Sequence, residues 1–289
     1  VSGQIFRAPG IVSCVASMPH LLLALRTILR TTCYRSRVES GCVTPHFHKA
    51  AVMVTKDITY QIDGKSFTGY LADGSRDKPA PGIMVIHQGL GMSDHTRERA
   101  RMLAELGYVA FAADMFGEVA TSREHAMSLI AGLSGNPPLL RQRAKAGLDV
   151  LTAHATTDNR RLAAIGFCFG GAVVLELARV HPELACVVAF HPGLSQLPET
   201  DDRKIAGKVM VCAGVQDPLI PPAARERLIH LMTTANADWQ LLIYGKAGHS
   251  FTDRTVGQFN MPGFFHDDPT DKRSWAAMRH LFEESFGPV

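Results

Sequence analysis

From Met53 onward the apolar positions fall into short runs separated by polar or glycine-rich stretches, and the period of the runs changes regularly along the chain. Val52–Tyr60 and Ser66–Leu71 read as two strands, joined at Asp63-Gly64, a dipeptide suited to the left-handed backbone of a tight hairpin turn. Gly82–His87, Tyr108–Ala113, Leu162–Gly166, Cys186–Phe190 and Val209–Ala213 are short and almost continuously apolar, as strands covered on both faces are. Trp239–Tyr244 is a last strand. Between the strands, Arg97–Leu106 sets Ala100, Leu103 and Ala104 on one face and stops at Gly107, which predicts a helix. Residues 121–155 are helical in pattern with a break at Asn136-Pro137-Pro138, and Trp275, Met278, Leu281, Phe282 and Phe286 recur at the spacing of an amphipathic closing helix. Strands alternating with helices predict an α/β fold, a mostly parallel sheet with helices on both faces. No repeat, low-complexity run or linker follows residue 50, so residues 49–289 read as one domain.

Composition adds a division. Of 289 residues, 46% are apolar and 20% charged, which fits a globular chain, and the formal net charge is +3. Residues 1–48 hold five arginines (Arg7, Arg26, Arg30, Arg35, Arg37) against Glu39, a formal +4, which leaves 25 bases against 26 acids and −1 for residues 49–289. The basic surplus belongs to an N-terminal leader outside the domain, expected to be disordered. It reads either as an organelle transit peptide, with Leu22, Leu25, Arg26, Leu29 and Arg30 in a short amphipathic helix, or as sequence foreign to the protein ahead of Met53.

The remaining composition mostly excludes. No stretch reaches 18 apolar residues, so no transmembrane helix is expected. The body has no basic footprint for nucleic acid. Gly89-Leu90-Gly91 is not a dinucleotide fingerprint, and Gly166–Gly171 lacks the Lys-Ser/Thr of a phosphate loop, so no cofactor is expected. Cys14, Cys33 and Cys42 fall in the leader, while Cys168, Cys186 and Cys212 lie far apart without CxxC spacing. That argues against zinc and a disulfide framework, and for a reducing, cytoplasmic setting unless the leader targets an organelle. The expected partner is a small molecule, and the expected assembly a monomer or homodimer.

The stretch with chemical content is Ala163–Ala172, where Gly166-Phe-Cys168-Phe-Gly170 directly follows an apolar strand and precedes a helix. This is the G-x-nucleophile-x-G turn with cysteine as the nucleophile. The turn is sharp enough to hold the nucleophile in strained backbone, and side chains two residues on either side would meet the adjoining strand and helix, hence the glycines. The sulfur then stands at a helix N-terminus, whose partial positive charge favours thiolate, and the Phe169 amide points at a developing oxyanion. Alone, Cys168 could equally be a small buried apolar residue. Two further residues change the weighing. Asp217 follows the strand Val209–Ala213 and His249 follows Trp239–Tyr244, which gives the nucleophile–acid–base order of an α/β-hydrolase. In those roles His249 exchanges protons with the thiol and the leaving group, and Asp217 orients and stabilises its imidazolium.

At these residues the chain resembles the dienelactone hydrolase (carboxymethylenebutenolidase) family of α/β-hydrolases. The resemblance rests on Ile86–His95, Gly166–Gly171, Gln216–Pro222, Gly248–Phe251 and Arg273–Met278, and it covers roughly residues 52–286. It implies the α/β-hydrolase fold and hydrolysis of a small ester or lactone through a thioacyl-enzyme, with Cys168, Asp217 and His249 as the triad. It also implies a second oxyanion donor at the amide of Gly89 or Leu90. The chain departs from the family at two positions. Gln88 stands where the family usually has a glutamate that interacts with the thiol; an amide supplies no charge there, but it can orient the sulfur or the substrate carbonyl. Asp253 stands where a family arginine clamps the substrate carboxylate, which makes a neutral ester, lactone or thioester the expected substrate. Loss of the glutamate also fits a second reading, a non-catalytic or redox-responsive relative in which Cys168 is an oxidant-sensitive thiol.

Overall fold

Two apolar cores sandwich a single sheet, and the alternation of side chains along each strand divides the residues between them. In the computed structural model, which describes residues 53–288 except 195–196, 199–200 and 202, Met84 and Ile86 enter one core while Ile83 and Val85 enter the other. Val109, Phe111 and Ala113 part in the same way from Ala110 and Ala112. All of these are fully buried, which explains why the central strands read as continuous apolar runs. The leader, and the expectations attached to it, lie outside the described residues.

The strands are β1 (Val54–Ile62), β2 (Lys65–Asp73), β3 (Ala80–Ile86), β4 (Val109–Ala113), β5 (Thr157–Phe167), β6 (Leu184–Phe190), β7 (Lys208–Gly214) and β8 (Asp238–Tyr244). They lie in the order β1-β2-β4-β3-β5-β6-β7-β8. β1 pairs antiparallel with β2, and β2 with β4, while every pair from β4–β3 through β7–β8 is parallel. The β1–β2 turn is Asp63-Gly64, at φ 49° and 78°, the left-handed pair that the dipeptide predicts.

The helices are α1 (Asp94–Glu105), α2 (Arg123–Ser134), α3 (Pro137–Thr152), α4 (Phe169–Val180), α5 (Pro222–Thr234) and α6 (Asp268–Phe286). α1 and α6 bury Leu103, Met278, Leu281 and Phe282 in one core, and α2 to α5 bury Leu133, Leu148, Val174 and Leu228 in the other. The mostly parallel sheet with helices on both faces therefore stands as predicted. The break at residues 136–138 is a helix start: Asn136 caps α3 by accepting from the Leu139 amide, and the two prolines take the first positions, where no amide hydrogen is needed. β5 begins five residues before the apolar run. Its polar first half pairs with β3 through Thr157 and Asp158, and the register then shifts before Leu162. Among the described residues no helix is long and apolar enough to cross a membrane.

Candidate active site

β5 ends at Phe167, and the next residue, Cys168, turns directly into α4 with φ 53° and ψ −112°. Left-handed backbone is rare and strained for a residue with a Cβ. Hydrogen bonds to the neighbouring strand ends hold it: the Cys168 amide donates to Phe190 O at 3.0 Å and the Gly170 amide to His87 O at 3.2 Å. The glycines are required by close approach. A Cβ at Gly166 would lie 2.0 Å from Gly170 O, and one at Gly170 would lie 2.4 Å from Ile86 O. Cys168 is half-buried at the C-terminal edge of the sheet, at the N-terminus of α4.

Asp217 and His249 arrive from the loops after β7 and β8. Gly214 lets these loops touch, since a Cβ there would meet Ala247 O at 2.2 Å. The Gln216 amide then donates to Ala247 O at 2.9 Å. Asp217 is buried; its Oδ1 accepts from the Leu219 amide and its Oδ2 lies 2.8 Å from His249 Nδ1. His249 is fully buried, and its amide donates to Gly263 O at 2.7 Å. Its Nε2 makes no hydrogen bond of ordinary geometry, but the Cys168 thiol is close enough to raise the His249 pKa.

The electrostatics of the three described cysteines separate one from the others. Burial pushes the thiols of Cys186 and Cys212 up to about 12. Burial acts the same way on Cys168, but the charge and hydrogen bond of His249 and the amides of Phe169 and Gly89 outweigh it, and its thiol lies below the ordinary value. Reciprocally, burial disfavours the His249 cation, yet Cys168 and Asp217 raise its pKa to about 10. Each group therefore favours the charged form of the other. Of the two amides considered from sequence, Gly89 reaches the sulfur. Leu90 turns its carbonyl to the Ala120 amide at 2.9 Å.

Gln88 is bound on both sides, though not by hydrogen bonds to the sulfur. Its Nε2 donates to Asp253 Oδ2 at 2.8 Å, and its Oε1 accepts from the Ser250 hydroxyl at 3.1 Å. Gln88 and Asp253, 165 positions apart in the sequence, thus touch each other. Asp253 also accepts from the Thr255 amide and hydroxyl, both at 2.8 Å. Burial pushes its carboxyl up, but His95, Thr255 and Gln88 more than compensate and hold it below the usual carboxylate value. On α3, Arg141 is engaged with Glu176 and Arg143 with the Met115 carbonyl. Phe264 packs on His249 with ring centroids 4.7 Å apart, whereas Met115 and Phe116 are fully buried core.

Sequence reasoning missed the second ring on the base. His191, immediately after β6, lies 5.3 Å from His249 between centroids, and its place at the C-terminal edge of the sheet was the available signal. A cavity of about 150 Å³, lined by residues including His95, Arg99, Thr252 and Asp253, lies beside this loop; none of the triad lines it. Among the described residues no group of three or more His, Cys, Asp or Glu side chains is arranged to hold a metal.

Comparison with known proteins identifies the family and the fold. The model of the family described as "Dienelactone hydrolase family" matches residues 67–286. A Salmonella typhimurium protein that carries the name carboxymethylenebutenolidase is 27% identical over 231 residues, 75% of this chain and 82% of that protein. The crystal structure of a dienelactone hydrolase-like promiscuous phosphotriesterase from metagenomic libraries is 40% identical with a TM-score of 0.77, covering 81% of this chain and 99% of that one. A Klebsiella pneumoniae structure at 21% identity and TM-score 0.67, over 81% of this chain and 99% of that one, shares the fold.

Proposed function

The chain belongs to the dienelactone hydrolase family, a family of ester and lactone hydrolases, and from that premise we propose that it cleaves small uncharged esters or lactones through a thioacyl-enzyme on Cys168. One observation carries the reading: buried Asp217 holds His249 Nδ1 at 2.8 Å and leaves Nε2 otherwise unbonded, with the Cys168 thiol close enough to raise the His249 pKa. In the reaction the thiolate attacks the carbonyl carbon, and the amides of Phe169 and Gly89 receive the oxyanion. As the tetrahedral intermediate collapses, the His249 proton passes to the departing alkoxide. His249, now neutral, takes a proton from water as that water attacks the thioester. Cys168 then leaves as thiolate, with the acid as product. Asp217 keeps the Nδ1 proton in place and stabilises the cation throughout. This intact dyad favours the enzyme over the non-catalytic alternative.

The preference for uncharged substrates follows from Asp253, which stands where the family has an anion-binding arginine and pairs with Gln88. A substrate carboxylate brought there would meet an acid. The same neutrality supports a second activity. The 40% identical relative is described as a phosphotriesterase, and a phosphotriester is an uncharged electrophile within reach of the same thiolate.

The test is hydrolysis of p-nitrophenyl butyrate, p-nitrophenyl hemisuccinate and diethyl p-nitrophenyl phosphate, with acid-quenched protein mapped by mass spectrometry. The butyrate should exceed the hemisuccinate in kcat/KM by about 10-fold or more. The acyl adduct should map to the peptide that holds Cys168. A preference for the hemisuccinate would overturn the substrate class, and an adduct elsewhere would overturn the nucleophile.

A further inference from the structure

Two rings pack on His249, and the one from His191 is an unusual choice for that place. His191 is fully buried and sits at φ 38°, with its amide fastened to Cys212 O at 2.7 Å. Its ring meets that of His249 at an interplanar angle of 67°. Its Nε2 is 2.8 Å from the Thr252 hydroxyl, which is 3.2 Å from His95 Nε2. Arg99 donates its Nε hydrogen to that same His95 nitrogen at 3.3 Å, so this nitrogen carries no proton. Arg99 is itself tied down: its Nη2 donates to Thr252 O at 2.6 Å and to Asp271 Oδ2 at 2.7 Å. A chain of buried polar groups therefore runs from α6 through α1 to the loop that bears His249, and ends at the His191 ring packed against that of His249.

A purely structural filler would be made differently. His191 Nδ1 and His95 Nδ1 are buried without a hydrogen-bond partner, an arrangement that costs stability and that an aromatic hydrocarbon would avoid. Left-handed backbone at a residue with a Cβ adds strain beside the site. Phe167 and Phe251 pack on the ring from the sheet and from the loop, and the charged or titratable groups that face it are His249, His95 and Arg99. Burial first, and then the neighbouring His249, His95 and Arg99, keep His191 well below the ordinary histidine value, so its ring is neutral.

We propose that His191 is a positioning residue for His249, a neutral ring oriented by Thr252, His95 and Arg99 that fixes the imidazole plane with Nδ1 on Asp217 and Nε2 toward Cys168. The inference rests on the triad reading above. Without the brace the imidazolium swings away from both anions, so its proton is held less tightly and the thiolate loses its counter-ion.

The experiment uses the full chain and p-nitrophenyl butyrate, comparing wild type, His191→Phe, Thr252→Val, Thr252→Ser, the His191→Phe/Thr252→Val double variant and Cys168→Ala, with near-UV circular dichroism as the check on folding. His191→Phe and Thr252→Val should each lower kcat about 10-fold with KM little changed, and should narrow the pH profile from both limbs. The double variant should be no worse than the poorer single, because both act through one contact. Thr252→Ser, which keeps the hydroxyl, should recover the wild-type profile. The inference is overturned if Cys168→Ala is inactive while the other profiles superimpose on wild type, or if Ser and Val at position 252 behave alike. It is also overturned if the losses follow only the folded fraction. Activity in Cys168→Ala would instead overturn the triad itself.

Discussion

At the scale of single residues, the same side chain has opposite chemistry according to what surrounds it. Cys186 and Cys212 are buried in one apolar core and pushed up to about 12, while Cys168 is held down by His249 and two amides. Iodoacetamide should therefore modify Cys168 in the folded protein at pH values where an ordinary thiol is protonated, leaving Cys186 and Cys212 untouched, as peptide mapping can read. His249→Ala should move the Cys168 midpoint upward; no movement would mean that the two do not interact. Hydrolysis requires the thiolate, lost as pH falls through the depressed thiol value, and the His249 proton, lost as pH rises through about 10. The profile of kcat/KM should be a bell with its alkaline limb near that value.

Gln88 gives the second residue-scale prediction. Gln88→Glu would set a carboxylate against Asp253 and against the hydrogen bond that Gln88 now donates. It should lower stability by about 1–3 kcal/mol at neutral pH, with recovery on acidification as one of the two carboxyls takes a proton. Thermal melts of both proteins at pH 5 and 8 check this, and equal melts at pH 8 would place the two side chains apart. The placement of Cys168, Asp217 and His249 at one edge of the sheet was legible in the sequence because each follows its own strand. The Gln88–Asp253 contact was not, since it joins residues 165 positions apart and no local pattern encodes which loops meet.

At the scale of elements, the elbow depends on bare backbone. Gly170 lies so close to the end of β3 that Gly170→Ala forces the strand end or the helix to move. It should cost about 3 kcal/mol or more in denaturant unfolding, with activity falling in the fraction that still folds. A fully stable and active Gly170→Ala would show that β3 and α4 are not packed as described. Elements buried on both faces were the easiest to read, because a run such as Ile83–Ile86 has no polar position to obscure it. The first half of β5 was missed for the converse reason: Arg160 and Arg161 pair with the buried Asp158, and the polarity of the three conceals strand pairing. His191 escaped notice because a histidine after a strand carries no periodicity, and only the packing of two loops sets it against His249.

At the scale of the whole molecule, the formal charge of +3 is a poor guide to the site. Its surplus comes from residues 1–48, whereas the body is near neutral. β1 begins at Val54, so a chain that starts at Met53 retains every described element. It should hydrolyse p-nitrophenyl butyrate with the kcat/KM of the full chain; a large loss would give the preceding residues a part in the fold or the site. Within the body, one acid kept at Asp217 and another placed at Asp253 shape the chemistry more than the total does. The central claim is that Cys168 is the nucleophile, and the most direct measurement is kcat/KM of Cys168→Ala against wild type on p-nitrophenyl butyrate. The expected result is a fall of several orders of magnitude, toward the residual rate of an oxyanion site without a nucleophile. Equal rates for the two proteins would contradict it.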